Sequence, residues 1–151
     1  MQKITPFLWF DNQAEEAMDF YTSIFKNSKI ESITRGPSGA VMMATFQING
    51  QELMALNGGP DHKFSEAISL FVSCETQKEV DEFWEKLSAG GEEGRCGWLK
   101  DKFGLSWQII PNLLGELMGD KDPEKTNRVM QAVLRMNRID AKILKQAYDG
   151  K

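Results

Sequence analysis

At 151 residues, the chain has the length of one compact domain with a buried core, and a second full domain is not expected. Its composition, 41% hydrophobic and 26% charged, is typical of a globular protein and excludes wholesale disorder. The formal net charge of −4 argues against a nucleic-acid partner, which needs a basic face for phosphates, but leaves small anionic ligands open.

The first residues of the sequence do not predict an export signal, and its apolar runs do not predict a membrane span. The start, MQKITPFLWFDNQ, has too short an apolar run for a secretory signal, and no run reaches the ~20 apolar residues of a spanning helix. Cys74 and Cys96 can in principle form a disulfide, but a chain of this size does not need one. We therefore expect reduced thiols, a cytoplasmic location and no membrane partner.

The first part of the chain predicts a strand, a helix and three more strands. Ile4 to Phe10 is rich in aromatic and branched residues, which favours a strand. Asn12, with Glu15 three residues later, predicts the N-cap of a helix that ends near 25–27. The Asn49-Gly50 pair is typical of a hairpin turn. Strand-like runs lie at 29–35, 41–48 and 51–57.

The second part repeats this pattern. A strand is predicted from Ala67 to Cys74, and Thr76 with Glu79 predicts the start of a second helix. Further strands are expected at 95–100 and 105–110, with a turn between them. A shift of 63 positions superimposes the two halves, placing Phe7 on Leu70, Trp9 on Val72 and Phe20 on Phe83.

The repeat predicts an α+β fold of two tandem βαβββ modules that form curved antiparallel sheets. Module 1 is expected at about 1–60, module 2 at about 66–112 and a helical tail at about 113–151, all within a single domain of 1–151. The repeat leaves open whether the modules pair within one chain or exchange between two chains. Asp122-Pro123 and Asp140 predict the starts of two tail helices, which pack either on their own domain or across a dimer.

Several stretches of the sequence resemble the PhnB-like group of the glyoxalase, bleomycin-resistance and dioxygenase (vicinal oxygen chelate) superfamily. They are ITPFLWFDNQAEEAMDFYTSIF, EAISLFVSC, CGWLKDKFGLSWQIIP and the tail segment DPEKTNRVMQAVL. This group carries the label 3-demethylubiquinone-9 3-methyltransferase, so the resemblance implies such an activity. A methyltransferase ordinarily needs a Gly-rich cofactor cradle, whereas Gly58-Gly59 and Gly90 to Gly94 are typical of turns. We therefore expect no cofactor.

The resemblance also implies four metal-ligand positions, which here fall on Ile4, Met54, Ala67 and Gln108. Only Gln108 offers an oxygen, and one neutral amide does not hold a divalent ion against water. The single histidine, His62, lies in the loop between the modules, where a solvated or loop-tethering role is expected. The sequence thus predicts no metal and disfavours glyoxalase or dioxygenase chemistry.

Strand alternation predicts which side chains face the helices and which line a concave face. The expected helix-facing residues are Phe7, Trp9, Leu70, Val72, Trp107 and Ile109. The expected concave residues are Ile4, Pro6, Leu8, Glu52, Met54, Leu56, Ser69, Phe71, Ser106, Gln108 and Ile110, and Cys96, Trp98 and Lys100 are expected to share one edge of the cavity. This lining, mainly apolar with a few polar groups, is typical of a small-molecule pocket.

From these faces we predict eight ligand-binding residues: Glu52, Met54, Ser69, Phe71, Trp98, Lys100, Ser106 and Gln108. Glu52 on the concave face has to be hydrogen-bonded, paired or used as a base, and the alternative is a carboxylate in water at a sheet edge. Gln108 either orients a ligand or is a structural amide bonded to neighbouring backbone. No catalytic residue is assigned. The favoured function is metal-free binding of a small aromatic or polar molecule by a homodimer. The alternatives are an enzyme of the methyltransferase-labelled type and a structural dimer with a vestigial pocket.

Overall fold

The structure, a computed structural model that describes residues 2–151, contains two compact units, one reaching to Phe64 and one from Ser65 to Lys151. Each unit contains one four-stranded sheet with a helix between its first two strands. The predicted α+β class and the repeated βαβββ module are therefore confirmed. The single-domain organisation stays a prediction.

The first unit is a mixed sheet with one helix. Its elements are β1 (Phe7–Phe10), α1 (Ala14–Ile24), β2 (Lys29–Arg35), β3 (Val41–Ile48) and β4 (Gln51–Asn57). The strand order is β1-β4-β3-β2, with β1 parallel to β4 and the other pairs antiparallel. Because α1 returns the chain so that β2 runs in the direction of β1, two hairpins bring β4 parallel to β1. The sequence had predicted an antiparallel sheet, and the parallel β1–β4 pair makes the sheet mixed instead.

The second unit repeats this arrangement and adds three helices. Its elements are β5 (Ser69–Cys74), α2 (Gln77–Ser88), β6 (Glu92–Glu93), β7 (Trp98–Lys100), β8 (Ser106–Pro111), α3 (Asn112–Met118), α4 (Pro123–Val133) and α5 (Ala141–Asp149). The strand order is β5-β8-β7-β6, and β5 is parallel to β8. The equivalence of the two sheets follows from the shared order of elements.

The side-chain alternation of β1 is opposite to the prediction. Leu8 and Phe10 are buried, whereas Phe7 is 44% exposed and lies beside Met54 of β4. The prediction that Phe7 and Trp9 face the helix is therefore wrong. The β1–α1 connection is one residue longer than the β5–α2 connection, so the 63-residue shift aligns the helices but misaligns the strands. A one-residue slip moves every side chain of a strand to its other face.

The two module helices begin in different ways. The predicted Asn12 cap of α1 is wrong, since Gln13 stands at the N-cap without a side-chain hydrogen bond. Instead, the Ala14 N–H donates to Asn57 Oδ1 from β4 at 2.9 Å. The predicted cap of α2 is confirmed, because Thr76 Oγ1 accepts the Glu79 N–H at 3.2 Å. A cap supplied from a distant strand leaves no local sequence signal.

The tail helices pack against their own unit, which is one of the two predicted alternatives. The predicted caps Asp122 and Asp140 are confirmed by backbone N–H groups that donate to their carboxylates. The side chain of Gln77 joins α2 to the tail by donating to Ile139 O at 3.0 Å and accepting from the Ala141 N–H at 2.8 Å. The buried cluster consists of Ile110, Val129, Val133, Met136, Ile139 and Leu144. Ile110 had been predicted to line the concave face, and it packs against the tail instead.

The segment before β7 is not the strand that the sequence predicted. Cys96 and Gly97 have φ values of 61° and 83°, which are left-handed rather than extended. Their N–H groups donate to Met136 O and Asn137 O, each at 2.8 Å. The prediction that Cys96 shares an edge with Trp98 and Lys100 is therefore wrong, because hydrogen bonds to the tail hold this backbone outside the strand.

None of the helices formed by residues 2–151 is long and apolar enough to cross a bilayer.

The turn between β7 and β8 is built around the buried carboxylate of Asp101, which is 2% exposed. Its Oδ1 accepts the N–H groups of Phe103 at 2.9 Å and Leu105 at 3.0 Å. Its Oδ2 accepts the indole N–H of Trp107 at 2.9 Å. One side chain thus satisfies two turn amides and the largest buried ring of the second unit.

Replacing Asp101 with alanine leaves these three donors without their acceptor. We expect Asp101→Ala to lower the free energy of unfolding by about 2–4 kcal/mol, the range for losing a buried hydrogen-bonding centre. Urea denaturation followed by tryptophan fluorescence measures this change. Asp61→Ala, at an exposed loop position, is the matched control and is expected to change stability by less than about 0.5 kcal/mol. An Asp101→Ala effect as small as the control's would contradict the structural role.

Candidate functional site

A cavity of about 180 Å³ lies beside β7 in the second unit, and we call it the β7 cavity. Its lining combines carboxylates, an ammonium, an indole and a hydroxyl. The lining residues are Glu66, Glu92, Glu93, Gly94, Trp98, Leu99, Lys100 and Ser106.

Strand register brings six of the eight predicted site residues onto one face of the second sheet. Ser106 of β8 pairs with Lys100 of β7 on one side and with Ser69 of β5 on the other. Gln108 pairs in the same way with Trp98 and Phe71. Paired residues share a face, and alternation places the buried Trp107 and Ile109 on the helix side. The predicted helix-facing positions of β8 therefore agree with the structure.

Ser106 is the polar group whose surroundings are least complete. The residue is 1% exposed, and its Oγ has no hydrogen-bond partner within residues 2–151. Leaving a buried hydroxyl unsatisfied costs about 1–3 kcal/mol, and most buried polar groups avoid this cost. Since Ser106 lines the β7 cavity, a molecule in that cavity can supply the missing partner.

Lys100 is held as a charged ammonium at the cavity. Its Nζ lies 2.6 Å from Glu66 Oε1. The hydrogen bond and the charge of Glu66 raise the pKa of Lys100, with a further contribution from Glu92, and Lys100 in turn lowers the pKa of Glu66. Glu92 stands opposite Lys100 in the β6–β7 pair, and its carboxylate has no hydrogen-bond or ion-pair partner in the described part of the chain.

Gln108 and Phe71 lie next to the β7 cavity rather than in its lining. The Gln108 amide nitrogen donates to Ser69 Oγ at 2.9 Å. This bond joins β5 and β8 through two side chains, rather than through the backbone as the structural-amide alternative had predicted. Phe71 is 59% exposed beside Gln108 and presents an aromatic ring on the same face.

The other two predicted site residues, Glu52 and Met54, belong to β4 of the first unit. Glu52 is 9% exposed, so it is not a carboxylate in water at a sheet edge. Gln2 covers it: the Gln2 N–H points to Glu52 Oε2 at 3.5 Å, and the Gln2 side chain bonds the Glu52 backbone N–H and C=O. These contacts occupy Glu52 in fixing the N-terminal segment, and neither residue lines the β7 cavity.

Three acidic cavity residues were not predicted, namely Glu66, Glu92 and Glu93. The glycines at 90–94 predicted a turn there, and β6 is only two residues long. Glu93 accepts the Trp84 indole N–H at 2.7 Å, which fixes β6 to α2. The pairing of Glu92 with Lys100 follows from the register of β6 and β7 and has no periodic signal in so short a strand.

The loop after β4 is fixed by Trp9. Its indole N–H donates to Gly59 O at 2.9 Å, and the His62 ring packs edge-on against it with centroids 4.7 Å apart. A Cβ on Gly58 would lie 2.3 Å from the Trp9 ring, so only glycine fits there. His62 thus has the loop-tethering role that the sequence offered as one alternative.

The residues at the superfamily's metal-ligand positions do not fit a metal ion. Ile4 is 86% exposed and precedes β1, Ala67 precedes β5, and Met54 offers a thioether. The Gln108 amide is bonded to Ser69. Within residues 2–151, no group of three or more His, Cys, Asp or Glu side chains converges on one point. The absence of a metal stays a prediction.

Two successive βαβββ units define the class of protein by its fold, the vicinal oxygen chelate fold. Protein PA1353 from Pseudomonas aeruginosa has this fold, with a TM-score of 0.63 and 18% identity over 74% of this chain and 98% of its own. The fosfomycin resistance protein FosX from Listeria monocytogenes, complexed with Mn(II) and sulfate, also has it, with a TM-score of 0.52 and 16% identity over 71% and 89%. At these identities the likeness shows the fold alone.

Within that class, a profile of the family described as 3-demethylubiquinone-9 3-methyltransferase matches residues 2–110, and the chain belongs to this family. The PhnB protein from Bacillus cereus, described as a candidate 3-demethylubiquinone-9 3-methyltransferase, is 43% identical over 73% of this chain and 99% of its own, with a TM-score of 0.69. A comparison with curated proteins finds no match. The family match ends at 110, before the tail helices.

The two cysteines differ in their expected reactivity. Burial, with a smaller contribution from Glu79, raises the pKa of the Cys74 thiol to about 12. Because the thiolate is the nucleophile, Cys74 is expected to remain unmodified by a thiol reagent in the folded protein, while the half-buried Cys96 reacts. Mass spectrometry after labelling, with and without urea, distinguishes the two sites. Equal labelling of Cys74 and Cys96 under native conditions would contradict this prediction.

Proposed function

We propose that this protein binds a small molecule in the β7 cavity without the help of a metal ion. The observation that supports this function is the Ser106 hydroxyl, which is buried, lines the cavity and has no partner within residues 2–151. A bound molecule that hydrogen-bonds this hydroxyl recovers about 1–3 kcal/mol that the unliganded protein loses. A hydrogen bond to Ser106 would thus contribute directly to the affinity for the ligand.

The remaining walls of the cavity suit a small ligand with an apolar surface and one or two polar groups. Trp98 offers an indole as the apolar wall. The volume of about 180 Å³ is below the roughly 300–1,000 Å³ of pockets for drug-sized ligands. The cavity therefore takes a small molecule, or one end of a larger one that continues along the face bearing Gln108 and Phe71.

The family description offers methyl transfer as a second function, and the glycines give it no support. A Cβ on Gly91 would lie 2.1 Å from Lys100 O, and one on Gly94 would lie 2.9 Å from Trp98 O. These two glycines are therefore required for the close approach of the 90–94 segment to β7. Since that approach explains them fully, they are no indication of a cofactor cradle, and we rank ligand binding ahead of methyl transfer.

We also propose a cytoplasmic homodimer. The free thiols Cys74 and Cys96 suit a reducing compartment. Three large apolar side chains of the tail, Met130, Leu134 and Ile143, are 37%, 48% and 44% exposed and offer a surface for a second copy. Light scattering coupled to size-exclusion chromatography is expected to give twice the 17.1 kDa chain mass, and a monomeric mass would remove this part of the proposal.

The binding function predicts opposite effects on stability and affinity for one substitution. Ser106→Ala removes the unsatisfied hydroxyl, so the unliganded protein is expected to keep or gain up to about 1 kcal/mol of stability. The same change is expected to weaken binding of any fragment that uses the cavity by about 3- to 10-fold, the value of one hydrogen bond. Urea denaturation and calorimetric titration measure the two effects.

Trp98→Ala tests the apolar wall and Trp9→Ala, in the first unit, is its matched control. A thermal-shift screen of small-molecule fragments is expected to give ligands that stabilise the wild type and the Trp9 variant but not the Trp98 variant. If every fragment that stabilises the wild type stabilises the Trp98 and Ser106 variants to the same extent, the β7 cavity is not the binding site.

A further inference from the structure

We propose that the ligand of the β7 cavity is a small organic cation, a molecule with an ammonium group on a compact apolar body. This inference rests on the proposed function and specifies the chemistry of its ligand. Three features of the cavity argue for it: its excess of carboxylates, its indole wall and the position of its one ammonium.

The first feature is charge. Glu66, Glu92 and Glu93 line the cavity together with a single cationic residue, Lys100, so carboxylates exceed ammonium groups by two. An anionic ligand would have to enter against this excess, whereas a cation is attracted by it. An excess of negative charge is common on protein surfaces and does not by itself indicate a binding site, so the other two features are needed.

The second feature is that the charges are not equally available. Lys100 is already neutralised by Glu66 at 2.6 Å, and Glu93 is bonded to the Trp84 indole. Glu92 is the remaining carboxylate, and it has no hydrogen-bond or ion-pair partner in the described chain. The charge of Glu92 acts on Lys100 across the β6–β7 pair without a direct ion pair, so a bound ammonium group would give Glu92 a direct partner and would leave the Lys100–Glu66 pair intact.

The third feature is the pairing of an aromatic wall with a buried hydroxyl. Trp98 lies in the strand next to Ser106, and tryptophan is the best side chain for a cation–π contact. Ser106 Oγ, which is 1% exposed and unpartnered within residues 2–151, points independently to a bound molecule. The hydroxyl can accept from an ammonium N–H or donate to a ligand oxygen. A small amino alcohol satisfies Glu92, Trp98 and Ser106 together.

Three molecules of one shape and different charge test this inference. Choline is the cation, 3,3-dimethylbutan-1-ol is its neutral isostere, and 3,3-dimethylbutanoate is an anion of similar size. We expect choline to bind the full-length wild-type protein at least about tenfold more tightly than either of the others, as measured by calorimetry. Tighter binding of the anion or the neutral alcohol would overturn the cation inference and leave the proposed function standing.

Two charge substitutions, one in the cavity and one outside it, test whether Glu92 binds the cation. Glu92→Gln is expected to weaken choline binding about tenfold and to leave binding of the neutral alcohol unchanged. Glu85→Gln, at an exposed position of α2 outside the cavity lining, changes the net charge equally and is expected to have no effect. Choline binding that responds equally to both variants would show general attraction rather than a site and would overturn the inference.

Lys100→Gln distinguishes a cationic from an anionic ligand most clearly, because it removes the partner of Glu66 and leaves that carboxylate to attract the ligand. A cation is then expected to bind several-fold more tightly, whereas a ligand held by the ammonium would bind more weakly. Loss of choline binding in this variant would overturn the inference. If none of the three molecules binds and the fragment screen also gives no ligand dependent on Trp98, the proposed function fails together with it.

Discussion

In each unit, the helix between the first two strands packs on one face of a four-stranded sheet, and this contact divides the strand side chains into two sets. In the second unit, α2 contacts β5, β7 and β8, and the side chains directed to it are the buried Leu99, Trp107 and Ile109. Alternate positions on the same strands face away from α2, and Ile110 at the end of β8 packs against the tail helices instead. Trp98, Lys100, Ser106 and Gln108 also occupy such positions. The alternation of side chains that places Leu99, Trp107 and Ile109 in the core therefore also brings the candidate site residues onto one face.

Two buried polar residues of this sheet region, Asp101 and Ser106, differ in whether they have hydrogen-bond partners. Asp101 accepts hydrogen bonds from two turn amides and the Trp107 indole, so its burial is compensated. Ser106, five residues later, is equally buried and has no partner in the described chain. A satisfied group stabilises the fold, whereas an unsatisfied group lowers stability until another molecule completes it.

The sequence predicted the fold class, three strands with exact limits and the side-chain alternation of β8, because these depend on local periodicity and turn residues. It failed where distant parts of the chain act on a segment. The face of β1 depends on the length of the connection to α1, the start of α1 depends on Asn57, and the tail draws Cys96 out of β7. The position of Glu92 could not be predicted, because a two-residue strand has no side-chain periodicity.

The central claim, metal-free binding at the β7 cavity, is tested most directly by two-dimensional NMR of the chelator-treated, ¹⁵N-labelled protein during titration with a fragment that stabilises it. The four tryptophan indoles, Trp9, Trp84, Trp98 and Trp107, report on both units. The account predicts that the largest shifts occur at the Trp98 indole and the amides of Lys100 and Ser106. Shifts that centre on Trp9, or that appear only after a divalent metal ion is added, would contradict it.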